Sequence, residues 1–377
     1  MKKGEIGLLK LLKVYKSGKG DILIPLLAVL IACFGCFAVY SASYYSAEVL
    51  NGDKFFYLKK QVIGLILGVI CMVLVNLFDY KFLSKIKYVL IIISTVLLLL
   101  VFTPLGIENY GAKRWINLGA VTVQPSEIAK FSYAIFCAGY FSKNPKRIKT
   151  FKGILPVILV GAFFCLLIML EPNMSITVCV GALMLAMLFC AGAKWWQILL
   201  ITVPIIIALP VLIILEPYRL KRLMAFINPW ASPKGEGYQL LQSLYALGSG
   251  GFFGVGFLNS RQKYRFLPFA ESDFILSVIG EEFGFFGTAL LFITLLFLGF
   301  RCFKVALRCK TLFGYLMVIG ITFVFLVQVA VNALVVTGSI PPTGLPLPLI
   351  SSGNTSLIVF LTAFGIIYNA SKDVEKI

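Results

Sequence analysis

Histidine is absent from all 377 residues. That removes imidazole acid–base catalysis, Ser-His-Asp triads and His-ligated metals together. Charge is scarce as well: Asp, Glu, Lys and Arg make up 13% of the chain, and only 16 residues are acidic. A soluble domain carries roughly 25% charged and about 45–50% apolar residues. Here 60% are apolar and the mean hydropathy is +0.96. No water-soluble fold of this length buries so much apolar surface. The short alternating segments of a membrane barrel are missing too. Runs of about 20 apolar residues recur instead, which predicts an all-α polytopic membrane protein.

The charge that is present leans to one sign, with 34 basic residues and a net charge of +18. In a soluble chain that excess points to nucleic acid. In a membrane chain it points to topogenic Lys and Arg on cytoplasmic loops, so no nucleic-acid partner is expected. Seven of the nine cysteines lie in apolar runs and two in a basic loop read as cytoplasmic, so no disulfide is expected. Cys33-Phe34-Gly35-Cys36 has CxxC spacing, but inside a hydrophobic helix it reads as packing. Six lysines crowd the first 20 residues without a cleavage site after the next apolar run, the pattern of a retained tail and not of a signal peptide.

Ten hydrophobic spans are predicted, near 22–43, 60–78, 87–104, 124–142, 153–170, 174–191, 197–215, 273–299, 312–336 and 357–370. An even number puts both termini on one side. With the termini inside, 21 basic residues fall on cytoplasmic segments and 5 on the short outer loops, so both termini are expected to be cytoplasmic. The chain is then one integral domain over 1–377, with a basic tail at 1–21 and a second tail at 371–377. One large extracytoplasmic loop, 216–272, joins helices 7 and 8.

That loop carries Arg219, Lys221, Arg222, Lys234, Arg261, Lys263 and Arg265, which suit either an anionic ligand or anionic lipid headgroups. Its glycine cluster Gly248–Gly256 lacks the strand and spacing of a dinucleotide fingerprint. Tyr238–Leu247 has the pattern of a short amphipathic helix lying on the outer membrane surface.

Ionisable groups in or near spans are costly in lipid and are the first candidates for function. Asp273 stands where the basic loop enters the eighth span, with Ser277, Gly280 and Gly284 close to its face of the helix. Capping of the helix N-terminus explains its position equally well. Glu127 and Lys130 are three residues apart and can pair on one face of the fourth span, as structural glue or as the lining of a hydrophilic cavity. Before them, Lys113, Arg114 and Trp115 form a basic–aromatic outer loop suited to a phosphate beside an apolar or sugar face, although a belt tryptophan is the simpler account of Trp115. The last outer loop, 337–356, holds four prolines and three glycines and reads as a rigid re-entrant segment. Its hydroxyls, Ser351 and Ser352 among them, either bind an oxyanion or satisfy one another.

Taken in order, these motifs resemble the SEDS family of cell-wall polymerases, the FtsW, RodA and SpoVE proteins, from about residue 24 to 370. The most specific stretches are Gly111–Gly119, Gln124–Lys130, Asn228-Pro229-Trp230 through Gln239, Gln242-Ser243-Leu244, Ser260–Lys263, Ser272–Ile275 with Glu281-Glu282, Val336–Gly338 and Leu345–Pro348. The NPW, QSL and SRQK spellings are more similar to the FtsW/SpoVE branch. The resemblance implies a multi-pass protein of the bacterial cytoplasmic membrane. It implies an inverting glycosyltransferase that polymerises lipid II, paired with a class B penicillin-binding protein in a divisome or elongation-type complex. It assigns the essential carboxylate to Asp273 and the outer-loop tryptophan to Trp115. The S-E-x-x-K pair falls on Glu127 and Lys130. Lipid II adds a requirement for cations, for which Lys113, Arg114, Lys130, Arg219, Arg222, Arg261 and Lys263 are candidates, together with Mg²⁺ or Mn²⁺. A lipid II flippase and a non-catalytic divisome scaffold are the competing readings.

The chain also departs from the family's pattern. Glu171-Pro172-Asn173-Met174-Ser175 has an amide where the family has an acid and a serine where it has glycine, Phe269 replaces the acid after Leu-Pro, and Ser351–Ser356 replaces S-Y-G-G-S-S. Should the missing acid serve the reaction or a metal, turnover would be slow. A specialised paralogue for division or sporulation is the expectation.

Overall fold

The computed structural model describes residues 20–109, 112–117 and 122–374. Most of the 1–21 tail, the last three residues of the 371–377 tail, and Gly111, Leu118 and Gly119 of the basic–aromatic stretch lie outside the described residues.

The fold is helical. It opens with α1 (Leu23–Asn51), α2 (Phe56–Leu74, continued by a 3-10 turn at Val75–Leu77) and α3 (Phe82–Leu100). After a small sheet come α4 (Pro125–Lys143), α5 (Phe151–Leu170), α6 (Met174–Ala191) and α7 (Trp195–Ile214). Then follow α8 (Pro217–Ile227), α9 (Tyr238–Gly250), α10 (Ile275–Arg308), α11 (Leu312–Val336) and α12 (Asn354–Ser371). Eight of these, α1, α2 with its 3-10 turn, α3, α5, α6, α10, α11 and α12, are long and apolar enough to cross a membrane. The chain is a multi-pass membrane protein.

Local chemistry accounts for the helix ends. Pro125 and Pro217 start α4 and α8, where a missing N–H costs nothing. Thr150 and Thr311 accept from the N–H groups of Gly153 and Gly314 at 3.2 and 3.1 Å, capping α5 and α11. Asn173 caps α6 by accepting from Ile176 N–H at 3.4 Å, a task an amide and a carboxylate perform about equally.

Packing separates the helices into two groups. Most of α4 is buried, Glu127 and Lys130 included, and α11 and α12 are buried around it. In contrast, α2, α3 and α7 bury few residues and turn large apolar side chains outward, as lipid-facing helices do.

Three features differ from the sequence expectation. First, residues 106–123 contain a three-stranded antiparallel sheet, β1 (Gly106–Asn109), β2 (Ala112–Asn117) and β3 (Thr122–Val123), in the order β1-β2-β3. Ile107 pairs with Trp115, Glu108 with Lys113, and Ile116 with Val123. Two to six residues per strand are too few for a clear two-residue period. Second, the 216–272 segment is not only loop: it holds α8 as well as the expected helix at 238, here α9. Third, α10 runs 34 residues, about 51 Å at 1.5 Å per residue and well beyond the roughly 30 Å of bilayer hydrocarbon.

The length is resolved by a break at Gly284 (φ 66°, ψ −165°). Backbone groups around the break bond to residues 251–256. Phe285 and Phe286 N–H donate to Gly251 and Phe252 C=O at 2.9 and 3.1 Å, and Val255 and Gly256 N–H donate to Glu281 and Glu282 C=O at 2.9 and 3.0 Å. Buried in protein, such a break leaves no backbone group to lipid. The small residues expected on the Asp273 face permit close packing. A Cβ at Gly250 of α9 would fall 2.1 Å from Gly280 C=O, and Ser243 Oγ meets Ser277 Oγ at 2.8 Å.

Candidate functional site

Asp273 lies in the turn just before α10 and is half-buried. Its backbone is held by the last loop. Asn332 Nδ2 donates to the Asp273 and Leu345 carbonyls, each at 2.9 Å. Ser351 Oγ donates to Ser272 C=O at 2.6 Å, and Ser352 N–H to Glu271 C=O at 2.8 Å. A Cβ built on Gly344 would stand 3.5 Å from Asp273 Oδ2, so a residue without a side chain leaves the carboxylate room. Asp273 does not cap α10: the N-cap is Phe274, and no side-chain cap bond forms there.

The surroundings of the carboxylate are cationic. Burial pushes Asp273 up to about 6, with Glu271 adding to the rise, while Arg222 on α8 and Arg114 on β2 act in the opposite direction. Burial likewise raises Glu271. Arg114 reaches across to the α5–α6 turn, where its Nε and Nη2 donate to the Glu171 and Pro172 carbonyls at 3.3 and 2.6 Å. Glu171 is buried with no partner on either carboxyl oxygen among the described residues. Burial pushes it up to about 8, against the pull of Arg114. Arg219, one turn before Arg222, sits half-buried with Nη2 3.5 Å from Met169 Sδ. Lys113 is exposed on β2 and Trp115 is half-buried beside it.

The remaining candidates divide. Glu127 and Lys130 form a 2.7 Å ion pair with no exposed side-chain surface. A Cβ on Gly320 of α11 would lie 3.0 Å from Ala134 Cβ, and Glu127 is seven residues before Ala134, on the same face of α4. The buried ion pair lies beside Cys179 of α6. Lys263 is not brought to Asp273. Its ammonium is buried 3.0 Å from Glu282 and 3.5 Å from Ser41 Oγ. The neighbouring Glu281 takes the backbone N–H of Arg261 at 3.0 Å and that of Gln262 at 3.4 Å, and also the Ser260 hydroxyl. Glu281 and Glu282 thus anchor the Ser260–Lys263 turn, leaving Arg261 exposed. The Ser351 hydroxyl donates to Ser272 C=O and accepts from Leu347 N–H at 2.8 Å, stapling the last loop to the segment before α10. Ser352 is half-buried.

Asn332 and Gly344 were not singled out in the sequence. An amide inside an apolar span was the available signal for Asn332. Nothing local marked Gly344.

A multi-pass helical membrane protein with a carboxylate at a helix mouth, flanked by arginines from a sheet and a surface helix, is the class that this fold and site define. The chain belongs to the FtsW/RodA/SpoVE family of cell cycle proteins, whose model matches residues 21–376. It is 36% identical over 360 residues to stage V sporulation protein E of Bacillus subtilis, covering 95% of this chain and 98% of that one. It is 37% identical over 353 residues to the probable peptidoglycan glycosyltransferase FtsW of Geobacter sp. (strain M18), covering 93% and 96%. Among solved structures it is similar to a chain of a peptidoglycan synthase complex that coordinates polymerization and crosslinking, with a TM-score of 0.78, 27% identity and coverage of 94% and 98%. It is also similar to the rod shape determining protein RodA of Thermus thermophilus, with a TM-score of 0.69, 26% identity and coverage of 95% and 98%.

Proposed function

We propose that this protein is a peptidoglycan glycosyltransferase that polymerises lipid II into β-1,4 glycan strands at the outer face of the cytoplasmic membrane, in division, sporulation or cell-shape maintenance. The observation that carries the reading is the half-buried Asp273 carboxylate set between the charges of Arg222 and Arg114. The names of the FtsW and SpoVE relatives support it.

Lipid II presents a prenyl tail, a diphosphate and a disaccharide. The acceptor 4-hydroxyl attacks the donor's anomeric carbon, the bond to the diphosphate oxygen breaks, and one inversion turns the α link into β. Asp273 is the general base that takes the hydroxyl proton. Held near 6, it is ionised at neutral pH yet more basic than an ordinary aspartate. The departing diphosphate keeps the bonding electrons, and Arg114 and Arg222 meet its charge, with Lys113, Arg219 and Arg261 along the approach. Trp115 lies against the sugar. Glu127–Lys130 braces α4 beneath the site, and Ser352 N–H holds the Glu271 carbonyl.

Among the described residues, no group of three or more Asp, Glu or Cys side chains is arranged to hold a metal. Magnesium commonly binds through one or two carboxylates plus substrate phosphates. Glu271, beside the base, is the carboxylate that would help hold Mg²⁺ or Mn²⁺ arriving with a diphosphate, and the ion would neutralise phosphate charge there.

The topology that goes with this chemistry has ten crossings, α1–α7 and α10–α12, with both termini cytoplasmic and 216–272 outside. The partner is a class B penicillin-binding protein. Similarity to a chain of a complex that couples polymerization to crosslinking supports it. The test is glycan formation from purified lipid II by the protein with its transpeptidase partner. Polymer from the wild type and none from Asp273→Ala is expected. Lipid II translocation in sealed vesicles without any polymer would make it a flippase and overturn the proposal.

A further inference from the structure

The end of the bundle where α1 begins and α12 ends has a cavity that the glycosyltransferase reading does not use. It is a half-open cleft of about 430 Å³ between the start of α1 (Gly20 and Asp21), the last turns of α10 (Arg301, Lys304 and Arg308) and Ser371 at the end of α12. Arg301, Lys304 and Arg308 are spaced by three and four residues, so they line one face of α10.

Among the described residues, Arg301 alone of the three has an acidic partner. Arg301 holds Asp21 Oδ2 through Nη2 at 2.6 Å and Nε at 2.9 Å, and Asp21 is fixed in turn by its N–H to Ser371 Oγ at 2.8 Å. Lys304 and Arg308 are half-buried and have no acidic partner among the described residues. Like charges four apart on a helix repel, and partial burial strengthens that repulsion. An anion in the cavity relieves it. The surface beside the cavity is apolar: Phe300, Phe303 and Leu307 of α10 and Leu26 of α1 are all exposed. An anion with an apolar body therefore fits better than a bare one. In sequence, six more lysines precede Gly20.

We propose that this cavity binds the phosphate headgroup of an anionic phospholipid, through Lys304 and Arg308, with the acyl chains lying against α1 and α10. The shared chemistry is a phosphate anion, and membrane lipid is its source.

Native mass spectrometry of the full chain in detergent, titrated with phosphatidylglycerol, phosphatidylcholine or inorganic phosphate, tests this. Phosphatidylglycerol should be retained about tenfold more strongly than phosphatidylcholine. Lys304→Gln with Arg308→Gln should weaken that retention by about tenfold or more, since each basic group near an anionic surface is worth about fivefold. The charge-conserving pair Lys304→Arg and Arg308→Lys should keep it, as should Lys310→Gln, which neutralises an exposed lysine outside the cavity. Undiminished retention in the glutamine double variant overturns the site, and equal retention of phosphatidylcholine overturns its preference for an anion. Inorganic phosphate that competes at equal concentration shows a free-anion site and overturns the lipid assignment. None of these readouts depends on glycan synthesis.

Discussion

Asn332, in the penultimate membrane helix, donates from one amide nitrogen to the carbonyls of both Asp273 and Leu345, each at 2.9 Å. One side chain thereby ties the mouth of α10 to the proline-rich loop. Asn332→Ala leaves two carbonyls without their donor, at about 1–3 kcal/mol for each buried group left unsatisfied. The expected result is a lower Tm and a turnover reduced about tenfold, with KM for lipid II little changed, because misplacement of a base acts on the chemical step. Wild-type turnover in a folded Asn332→Ala protein would show that the tie does not position Asp273.

Removing the carboxylate separates catalysis from stability. Asp273→Asn should lower polymerisation by about 10²–10⁴-fold, the usual worth of a general base. In the wild type, the rate should fall as pH drops through about 6, where Asp273 takes up a proton. Stability moves the other way. The folded-state value is raised, so the folded protein binds more protons than the unfolded chain between about 4 and 6, and stability contributed by this group is lost as pH rises through about 6. Asp273→Asn should therefore be the more stable protein at pH 7, and the difference should vanish below pH 4. Thermal melts at the two pH values measure it.

Glu171 extends the same logic over a wider pH window. Burial raises it to about 8, so its carboxyl is protonated at neutral pH and must ionise without a hydrogen-bonding partner as the pH rises. The folded protein keeps this proton while the unfolded chain has lost it between about 4.5 and 8, so the wild-type Tm should fall across that window and level off above about 8. Glu171→Gln, neutral throughout, should match the wild type below about pH 4.5 and melt higher than it at pH 7 and above. Parallel curves for the two proteins would show that Glu171 does not titrate in this range.

The buried Lys263–Glu282 pair gives a prediction about folding. Lys263→Met strands a buried carboxylate among Ser41, Ser260 and the α10 backbone, and breaking such a pair costs about 3–5 kcal/mol. Poor expression or a large drop in Tm is expected. Lys263→Met combined with Glu282→Gln should recover most of the loss. If Lys263→Met instead folds normally and fails only with lipid II, the lysine serves substrate after all.

Gly284 has φ 66° and ψ −165°, and a Cβ there would lie 2.4 Å from Gly254 N and 2.6 Å from Phe252 C=O. Gly284→Ala should destabilise more than a helical glycine-to-alanine change, which normally stabilises. A Tm equal to or above wild type would show that the break at 284 is not required.

The helices were legible because a membrane span is a local property, a run of apolar residues that needs no knowledge of its neighbours. The apolar runs from Leu23 to Asn51 and from Leu312 to Val336 announce themselves this way. The Pro125–Lys143 helix was legible for a second reason. Its Glu127-to-Lys130 spacing makes a buried charge pair possible within a single turn. The 106–123 sheet and the 217–227 helix were not, since strands of two to six residues and a helix of eleven carry too little periodicity to stand out from a loop.

Composition, charge sign and spacing along the chain thus settled that this is a polytopic helical protein, named its ionisable groups, and set Asp273 apart at a span's entrance. Tertiary contacts alone decided which of those groups act together. Arg114 and Arg222 come to the carboxylate from segments more than fifty residues away from it and from one another. Lys263, only ten residues from Asp273, is turned into the bundle against Glu282. Sequence distance carries no information about such choices, because a charge in a poorly solvating interior goes wherever the folded chain offers it an opposite charge or a hydrogen bond.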